Sequence, residues 1–290
     1  MNPLSKNYSE DKNRVLVQKS LSGDKHALDT LIRLHQPFIY NLAWKMVHDP
    51  QDAKDLSQEV MIKVITKLSQ FSFKSSFRTW LYRIVVNEFL LTKRKNREDR
   101  FPSFQQYGEQ LDAVPNPDLT IEEEIELREL SKEMQVRCMS GMLMCLNREQ
   151  RLIYILVDTF GINHKLGAEL FEVSPQNFRI KLHRARKELY NYMNNKCGLI
   201  NKSNPCRCPK KAKALKQMGM LNEQKMEFNI ATRTRIMDYV ETEYENLRLS
   251  IEDKYTELYR THPAKDDFEK ETIIDEILED ELIMRHLNLN

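Results

Sequence analysis

Apolar residues recur three or four positions apart along most of the chain, and this spacing predicts helices rather than strands. One clear example lies between residues 49 and 68, where one face carries Ala53, Leu56, Val60, Val64 and Leu68. Asp49 or Asp52 can cap this helix, and Pro50 suits its first turn because the N–H that proline lacks would be unpaired there. A helix that begins near residue 50 is therefore predicted.

Residues 14–47 are predicted to form one or two further helices, and Ser22, Gly23 and Asp24 separate the first from the second. The expected core positions of this stretch are Val15, Leu16, Leu28, Leu31, Ile32, Leu34, Phe38, Ile39, Leu42 and Met46. Together with residues 50–95, these helices predict an N-terminal bundle of about four helices over 12–98.

The apolar spacing is lost from residue 99 to residue 120, where three prolines and one glycine interrupt the chain. A long stretch without regular structure is unusual inside a compact domain, so this stretch indicates a boundary between domains. We therefore predict a flexible linker over 99–120.

Helical spacing resumes at Ile121 and predicts a second helical domain over 121–195. Asn147 can cap one helix, Gly161 supplies a bend, and Ser174 can cap the last helix with Pro175 at its first position. That last helix carries cations beside its apolar stripe, namely Arg179, Lys181, Arg184, Arg186 and Lys187. A helix-turn-helix with a basic second helix is typical of proteins that read the DNA major groove, although a basic amphipathic helix alone also suits a solvated or membrane-surface position.

Composition favours an all-α protein, since the chain has seven glycines in 290 residues. The formal net charge is +2, so the chain is not a polycation. Its basic segments lie in the interior of the sequence, and its C-terminal tail is acidic. The sequence shows no carboxylate pair, nucleophile–base set or phosphate-cradling glycine loop, which argues against an enzyme. The absence of an apolar run near ~18 residues and of an N-terminal hydrophobic segment predicts a cytoplasmic protein without a membrane span.

Aromatic and cationic side chains alternate between residues 71 and 94. Aromatic rings can stack on unpaired bases while cations hold phosphates, so this pattern favours single-stranded nucleic acid. Phe77, Trp80 and Ile84 also have the spacing of core residues in a helix. The candidate DNA-binding residues of this stretch are Lys74, Ser75, Ser76, Arg78, Trp80, Asn87, Lys93 and Arg94.

Two motifs in this half resemble region two of bacterial sigma factors, most closely the extracytoplasmic-function type. The first reads D-x-x-D-L-x-Q-E-V from Asp52, and the second reads F-x-x-x-S-S-F-R-T-W-L-Y-R-I-x-x-N from Phe71. The resemblance implies that the bundle 12–98 is sigma region two. It also implies that Asp52, Asp55, Gln58 and Glu59 contact core RNA polymerase, through its β and β′ subunits.

The second domain resembles sigma region four, a helix-turn-helix. The chain keeps Leu146, Arg151, Gly161, Ala168, Glu169, Ser174, Leu182, Arg184, Ala185 and Arg186 of the family pattern. It departs from that pattern at Gly167, Asn177 and Ile180. An apolar residue is usual at the first of these positions, and a glycine there is expected to loosen the first helix. The residues that the resemblance places nearest to promoter DNA are Gln176, Asn177, Arg179, Lys181 and Arg184.

The resemblance implies a sigma factor that recognises and melts promoter DNA, binding it both as duplex and as melted strand, and that initiates transcription with core RNA polymerase. It also suggests an anti-sigma factor as a further partner. The alternative is a stand-alone helix-turn-helix regulator that binds duplex DNA without polymerase. That alternative leaves the aromatic and cationic stretch unexplained.

Residues 196–290 form an extension beyond the family pattern, with a cysteine-containing segment followed by predicted helices. Cys197, Cys206 and Cys208 have no standard zinc-finger spacing, so zinc, a packed structural role and a reversible thiol sensor remain open interpretations. No other cofactor is expected. The acidic segment 265–290 has an apolar stripe, and it fits either a docking helix or a solubilising appendage.

Overall fold

A computed structural model describes residues 9–91, 103–223 and Met226. The predicted all-α fold is confirmed, because the described residues form helices and no strand. The α-helices are α1 (Glu10–Leu21), α2 (Lys25–Val47), α3 (Pro50–Thr66), α4 (Phe77–Leu91), α5 (Phe104–Ala113), α6 (Ile121–Glu126), α7 (Arg128–Cys145), α8 (Arg148–Tyr154), α9 (His164–Leu170), α10 (Pro175–Lys196) and α11 (Cys208–Gln217). A 3-10 turn spans Leu68–Gln70 and a π-helix spans Ile155–Thr159.

The chain divides into two compact units, which are described separately. Among the described residues, the first unit comprises 9–91 and 162–179, and the second comprises 103–161, 180–223 and Met226. Within the described parts of the chain, no helix is long and apolar enough to cross a membrane.

Helices α1 to α4 form the body of the first unit around a core built mainly by α2, α3 and α4. Asp49 caps α3 by accepting the Asp52 N–H at 2.9 Å, and Pro50 occupies its first turn. The predicted apolar face of α3 is buried in full, at Ala53, Leu56, Val60 and Val64, with Leu68 following. Helix α9 also belongs to this unit, where its Glu169 pairs with Arg83 of α4.

The first helix turns a different face to the core than its apolar residues predict. Val15 was expected to be buried but is 49% exposed, while Asn13 and Val17 are fully buried. Asn13 faces inward because its side chain donates to the Ser9 carbonyl and bonds to His35 Nε2 at 2.7 Å. A satisfied polar residue thus occupies a position that hydrophobic periodicity alone assigns to the surface.

The predicted flexible linker contains a helix, α5, and this corrects the expectation of an unstructured stretch over 99–120. Ser103 and Gln106 form a reciprocal capping box at its start. Tyr107 donates to the Cys138 carbonyl at 3.3 Å and lies against Gly141, where a β-carbon would be 2.6 Å from the tyrosine oxygen. Helix α5 therefore packs on α7 because a glycine of α7 makes room for its tyrosine.

The extension also contributes to the core of the second unit. One buried cluster contains Leu111, Leu127, Leu130, Met134, Ala212 and Leu221, which come from the linker, from helix α7 and its N-terminal cap, and from the extension. Lys211 of α11 is 2% exposed, and its ammonium donates to the carbonyls of Leu111, at 2.7 Å, and of Val114. Residues 208–221 are therefore part of this fold rather than an appendage to it.

The predicted helix-turn-helix elements are present at α9 and α10. Asn147 caps α8, Asn163 caps α9, and the Ser174 hydroxyl accepts the Asn177 N–H at 3.2 Å at the start of α10. Gly161 adopts φ +71°, a left-handed conformation that favours glycine, at the predicted bend.

Candidate polymerase and nucleic-acid interfaces

The loop between α3 and α4 is built on an aromatic cluster. The Phe71 ring lies 4.7 Å from Phe73, 5.5 Å from Phe77 and 5.5 Å from Trp80. Phe71 and Phe77 are buried, whereas Phe73 and Trp80 are half-buried. The prediction that Phe77 belongs to the core is confirmed, and Trp80 borders the same core while keeping part of its surface exposed.

The candidate residues of this loop lie around the cluster at its surface. Lys74 and Asn87 are exposed, while Ser75 and Arg78 are half-buried. Ser76 has a structural task as well, because its hydroxyl accepts the Thr79 N–H at 3.1 Å at the beginning of α4. Lys93 and Arg94 lie outside the described residues.

Helix α3 presents the four polymerase-binding candidates away from its buried face. Glu59 is exposed, and Asp52, Asp55 and Gln58 are half-buried. Gln51 donates to Asp55 at 2.9 Å along the same surface. The arrangement is an acidic and amide-bearing helix face, suited to a partner that offers cations and hydrogen-bond donors.

Helix α10 carries the candidates for duplex DNA. Gln176, Asn177, Arg179 and Arg184 are exposed near its N-terminal half. Lys181 differs from them, since its ammonium is held by Glu149 at 2.8 Å and 3.0 Å. Four of the five candidates are thus available on the surface of the helix, while Lys181 has a protein partner.

Two arginines of the resembled region-four pattern have structural roles. Arg151 is 2% exposed and donates to the carbonyls of Met144 and Leu146, at 3.3 Å and 3.1 Å. Arg186 donates to both oxygens of the fully buried Asp158. Neither side chain faces outward as a DNA contact would, so their place in the motif reflects folding.

The thiols of the extension lie beside an apolar cluster. Cys197 and Cys206 are joined by an isolated backbone bridge, and Cys138 of α7 packs with Cys206 against one apolar cluster. Burial, with the neighbouring Cys197 thiol as a second cause, raises the pKa of Cys138 to about 12. Among the residues that the structure describes, no group of three or more His, Cys, Asp or Glu is placed to hold a metal ion, so the zinc interpretation for Cys197, Cys206 and Cys208 is not supported.

Two further residues support the candidate loop from outside it, although no sequence pattern marks them. Glu10 and Arg14 of α1 contact the loop 71–77. They resemble ordinary charged positions on a helix surface, and their partners lie about 60 residues away in the sequence. A contact at that separation has no signature in local periodicity.

Two family models match this chain, one in each of the two segments that carry the candidate residues. Residues 31–98 match the family described as Sigma-70 region 2, and residues 137–189 match Sigma-70, region 4. The chain thus carries both sigma-70 regions, region 2 before region 4. These matches, together with the relatives below, support an extracytoplasmic-function, sigma-70-like factor.

Curated sigma factors are similar to this one over part of their length. It is 40% identical to the RNA polymerase sigma-H factor of Pseudomonas aeruginosa over 79 residues, which are 27% of this chain and 41% of that protein. It is 30% identical to the ECF RNA polymerase sigma factor SigE of Mycolicibacterium smegmatis over 176 residues, which are 59% of this chain and 65% of that protein. The chain thus spans between 41% and 65% of the length of these two relatives.

A solved structure, that of CnrH in complex with the cytosolic domain of CnrY, matches with 21% identity and a TM-score of 0.45. The match covers 63% of this chain and 98% of that chain. A similarity at this level carries no argument about function.

Proposed function

We propose that this protein is a sigma subunit that binds core RNA polymerase and directs it to promoters, where it helps to open the DNA and to initiate transcription. The observation that carries the proposal is the presence of both sigma regions in one chain, in order, with each set of candidate contact residues mainly at the surface of its own helices. Core RNA polymerase and promoter DNA are both cytoplasmic in bacteria, which supports a cytoplasmic site of action for this protein.

The polymerase contact is proposed for the outer face of α3. Asp52, Asp55, Gln58 and Glu59 offer three carboxylates and an amide on a helix whose opposite face is buried. A rigid, preorganised helix loses little conformational entropy on docking, so its polar contacts contribute to specificity without ordering a loop first. The proposed partners of these side chains are the β and β′ subunits of the core enzyme.

The capture of melted DNA is proposed for the loop 71–77 and the surface of α4. The half-buried Phe73 and Trp80 can stack on unpaired bases, while Lys74 and Arg78 can hold phosphates. Extruding a base costs a few kcal/mol, which stacking and phosphate neutralisation would offset. The mechanism is therefore one of binding energy without covalent chemistry.

The reading of duplex DNA is proposed for the N-terminal half of α10. Gln176, Asn177 and Arg179 lie in its first two turns, where a recognition helix meets base edges, and Arg184 follows on the same helix. Lys181 would need to leave Glu149 before it could contact DNA, so we assign it a smaller part. Phosphate contacts by the cations should give a strong dependence on salt.

An anti-sigma factor is a further proposed partner, on the basis of the family. Such a partner would cover the polymerase-binding face of α3, the DNA-binding face of α10, or both. Competition between a co-purifying partner and core polymerase for the full chain would test this part of the proposal.

Transcription in vitro tests the function directly. Sigma-free core polymerase and the full chain are incubated with fragments of the host genome, and the RNA 5′ ends are sequenced. Initiation from a small set of sites that needs both proteins supports the proposal, and an Asp55→Lys variant should lose it together with core binding. Tight duplex binding without polymerase, combined with no initiation, would favour the stand-alone regulator instead.

A further inference from the structure

The backbone of the loop 71–77 is held by a side chain from the first helix. Nη2 of Arg14 donates to the carbonyl of Phe73 at 3.2 Å and to the carbonyl of Ser75 at 3.3 Å. The same guanidinium lies over the Phe73 ring, 5.7 Å from its centroid. One side chain therefore binds the loop on both sides of Lys74, which is exposed.

The end of the loop is held by a second residue of α1. Both carboxylate oxygens of Glu10 accept the Phe77 N–H, at 2.9 Å and 3.1 Å, where α4 begins. A carboxylate at this position also complements the positive end of the helix dipole. Glu10 pairs in turn with Nε of Arg14 at 3.0 Å, so the two side chains act as one unit, which we call the α1 bracket.

The loop needs such support because its backbone is unfavourable by itself. Phe73 has φ +59°, a left-handed conformation that a bulky residue rarely adopts. Conformations of this kind persist where surrounding contacts over-determine them, and they concentrate at functional sites. The Arg14 hydrogen bond to the Phe73 carbonyl is a contact of that kind.

We propose that Glu10 and Arg14 are positioning residues for promoter opening, because they hold the loop 71–77 in the shape that captures an unpaired base. The inference rests on the proposed function and adds to it a role for α1, which lies before the segment that matches the family. Neither side chain contacts DNA in this proposal. They act through the loop, by fixing the carbonyls on either side of Lys74 and the start of α4.

Substitutions in the α1 bracket should disorder the loop 71–77 more than they destabilise the helical bundle. Arg14 and Glu10 form a partly exposed i,i+4 pair, and pairs of this kind contribute little to stability. Arg14→Met should therefore leave core binding nearly unchanged, and its effect on the melting temperature should be confined to the two loop hydrogen bonds that it also removes. A matched control is Arg33→Met, which removes a similar i,i+4 pair with Asp29 from α2 of the same bundle.

The probe for strand capture is a short single-stranded DNA library of random sequence, bound to the complex of core polymerase with the full chain and then sequenced. Arg14→Met should bind the enriched strands about tenfold more weakly, because two charge-assisted hydrogen bonds to the loop are lost. It should also reduce the preference for particular bases. Arg14→Lys should recover part of both effects, since an ammonium can reach one carbonyl at a time.

Hydrogen exchange supplies a second measurement that does not depend on transcription. In the free protein, the amides of residues 73–77 should exchange faster in Arg14→Met and in Glu10→Gln than in Arg33→Met. Unchanged exchange in this loop would overturn the inference, whatever the protein does with polymerase. Wild-type protein that fails to bind single strands with core polymerase would refute the proposed function, whereas normal binding by both wild type and Arg14→Met would refute the α1 bracket alone.

Discussion

Gly167 in α9 offers a sharp test of how the helix-turn-helix is packed. The family pattern has an apolar residue at this position, and a glycine there would be expected to loosen the helix. The structure shows a different consequence, since a β-carbon at Gly167 would lie 2.3 Å from Cζ, 2.6 Å from Cε1 and 2.9 Å from Cε2 of Phe178. The fully buried Phe178 ring fills the space that a side chain would occupy.

The size of the effect of Gly167→Ala follows from two opposing terms. Replacing a helical glycine by alanine favours the helix by about 1 kcal/mol. Inserting a methyl group into a filled core costs about 1–3 kcal/mol, and the Phe178 ring has little room to retreat because the Phe171 ring is 5.6 Å away and the His164 ring is 6.4 Å away. Because the ring has so little room, the upper part of that range applies, about 2–3 kcal/mol, and we expect a net loss of about 1–2 kcal/mol of local stability.

The sign of this effect should reverse when the ring is removed. In a Phe178→Leu background the added methyl group has space, so Gly167→Ala should stabilise α9 by about 0.5–1 kcal/mol. The coupling between the two substitutions would then be about 2 kcal/mol, well above the additivity expected of independent sites. Gly108→Ala in α5 is a matched control, because its β-carbon would be 3.4 Å from Tyr192, an ordinary contact, and it should be neutral or stabilising.

The assay is amide hydrogen exchange at the Phe171 and Val173 N–H groups, which bond to Gly167 and Ala168. A local probe is needed because a chain with two compact units need not unfold in one step. If Gly167→Ala stabilises these amides in the wild-type background as much as in Phe178→Leu, the packing argument is refuted.

Three further predictions concern buried charges. Desolvation lowers the pKa of Lys45 from 10.5 to about 7, so the charged form of this side chain disfavours folding below pH 10.5. Lys45→Met should therefore stabilise the protein at pH 7. The gain in unfolding free energy should be about 2 kcal/mol smaller at pH 9, and unfolding curves of both proteins at the two pH values would measure it. Lys211→Met removes the ammonium that binds the Leu111 carbonyl and the part-buried Val114 carbonyl, and it should cost about 1–3 kcal/mol and expose residues 111–123 to protease; Lys216→Met, at a surface pair, should change almost nothing. Arg186→Met should cost about 3–5 kcal/mol because it removes the cation that pairs with the fully buried Asp158 carboxylate, and Arg186→Met with Asp158→Leu should recover most of that loss in the same unfolding measurement.

Local patterns in the sequence predict much of this fold. The caps at Asp49, Asn147 and Ser174 and the bend at Gly161 lie where side-chain chemistry places them. The apolar stripe of α3 is buried as its spacing indicates. These features depend on residues within one or two turns of each other, which is why a single sequence suffices to predict them.

The features that escape prediction depend on contacts between distant residues. Helix α5 lies in a stretch with scattered prolines, and it is held in part by the fit of Tyr107 against Gly141. The sequence predicts that Lys181 contacts DNA. In the structure its ammonium donates to Glu149, 32 residues away in the sequence. Basic residues in a recognition helix therefore cannot be sorted into DNA contacts and internal partners from their spacing alone.

The two arginines of the region-four motif illustrate the same limit. Arg151 and Arg186 match the family pattern, and a motif of this kind invites a functional interpretation. Both are engaged within the protein, by backbone carbonyls and by Asp158. Neither arginine was a DNA-binding candidate, and among the five candidates on α10 it is Lys181 that has a protein partner.

The position of α11 determines how the second unit can be dissected. A fragment that ends at Lys196, just beyond the matched segment 137–189, would strip the cover from Leu111, Leu127 and Leu130 and remove the ammonium that binds the Leu111 and Val114 carbonyls. Such a fragment would lose activity because its fold is damaged. That result would wrongly suggest that the tail itself is needed for activity. A fragment that ends after Met226 keeps the buried cluster together with the Met226 side chain that packs against it, and it is the one with which the contribution of the remaining residues can be measured.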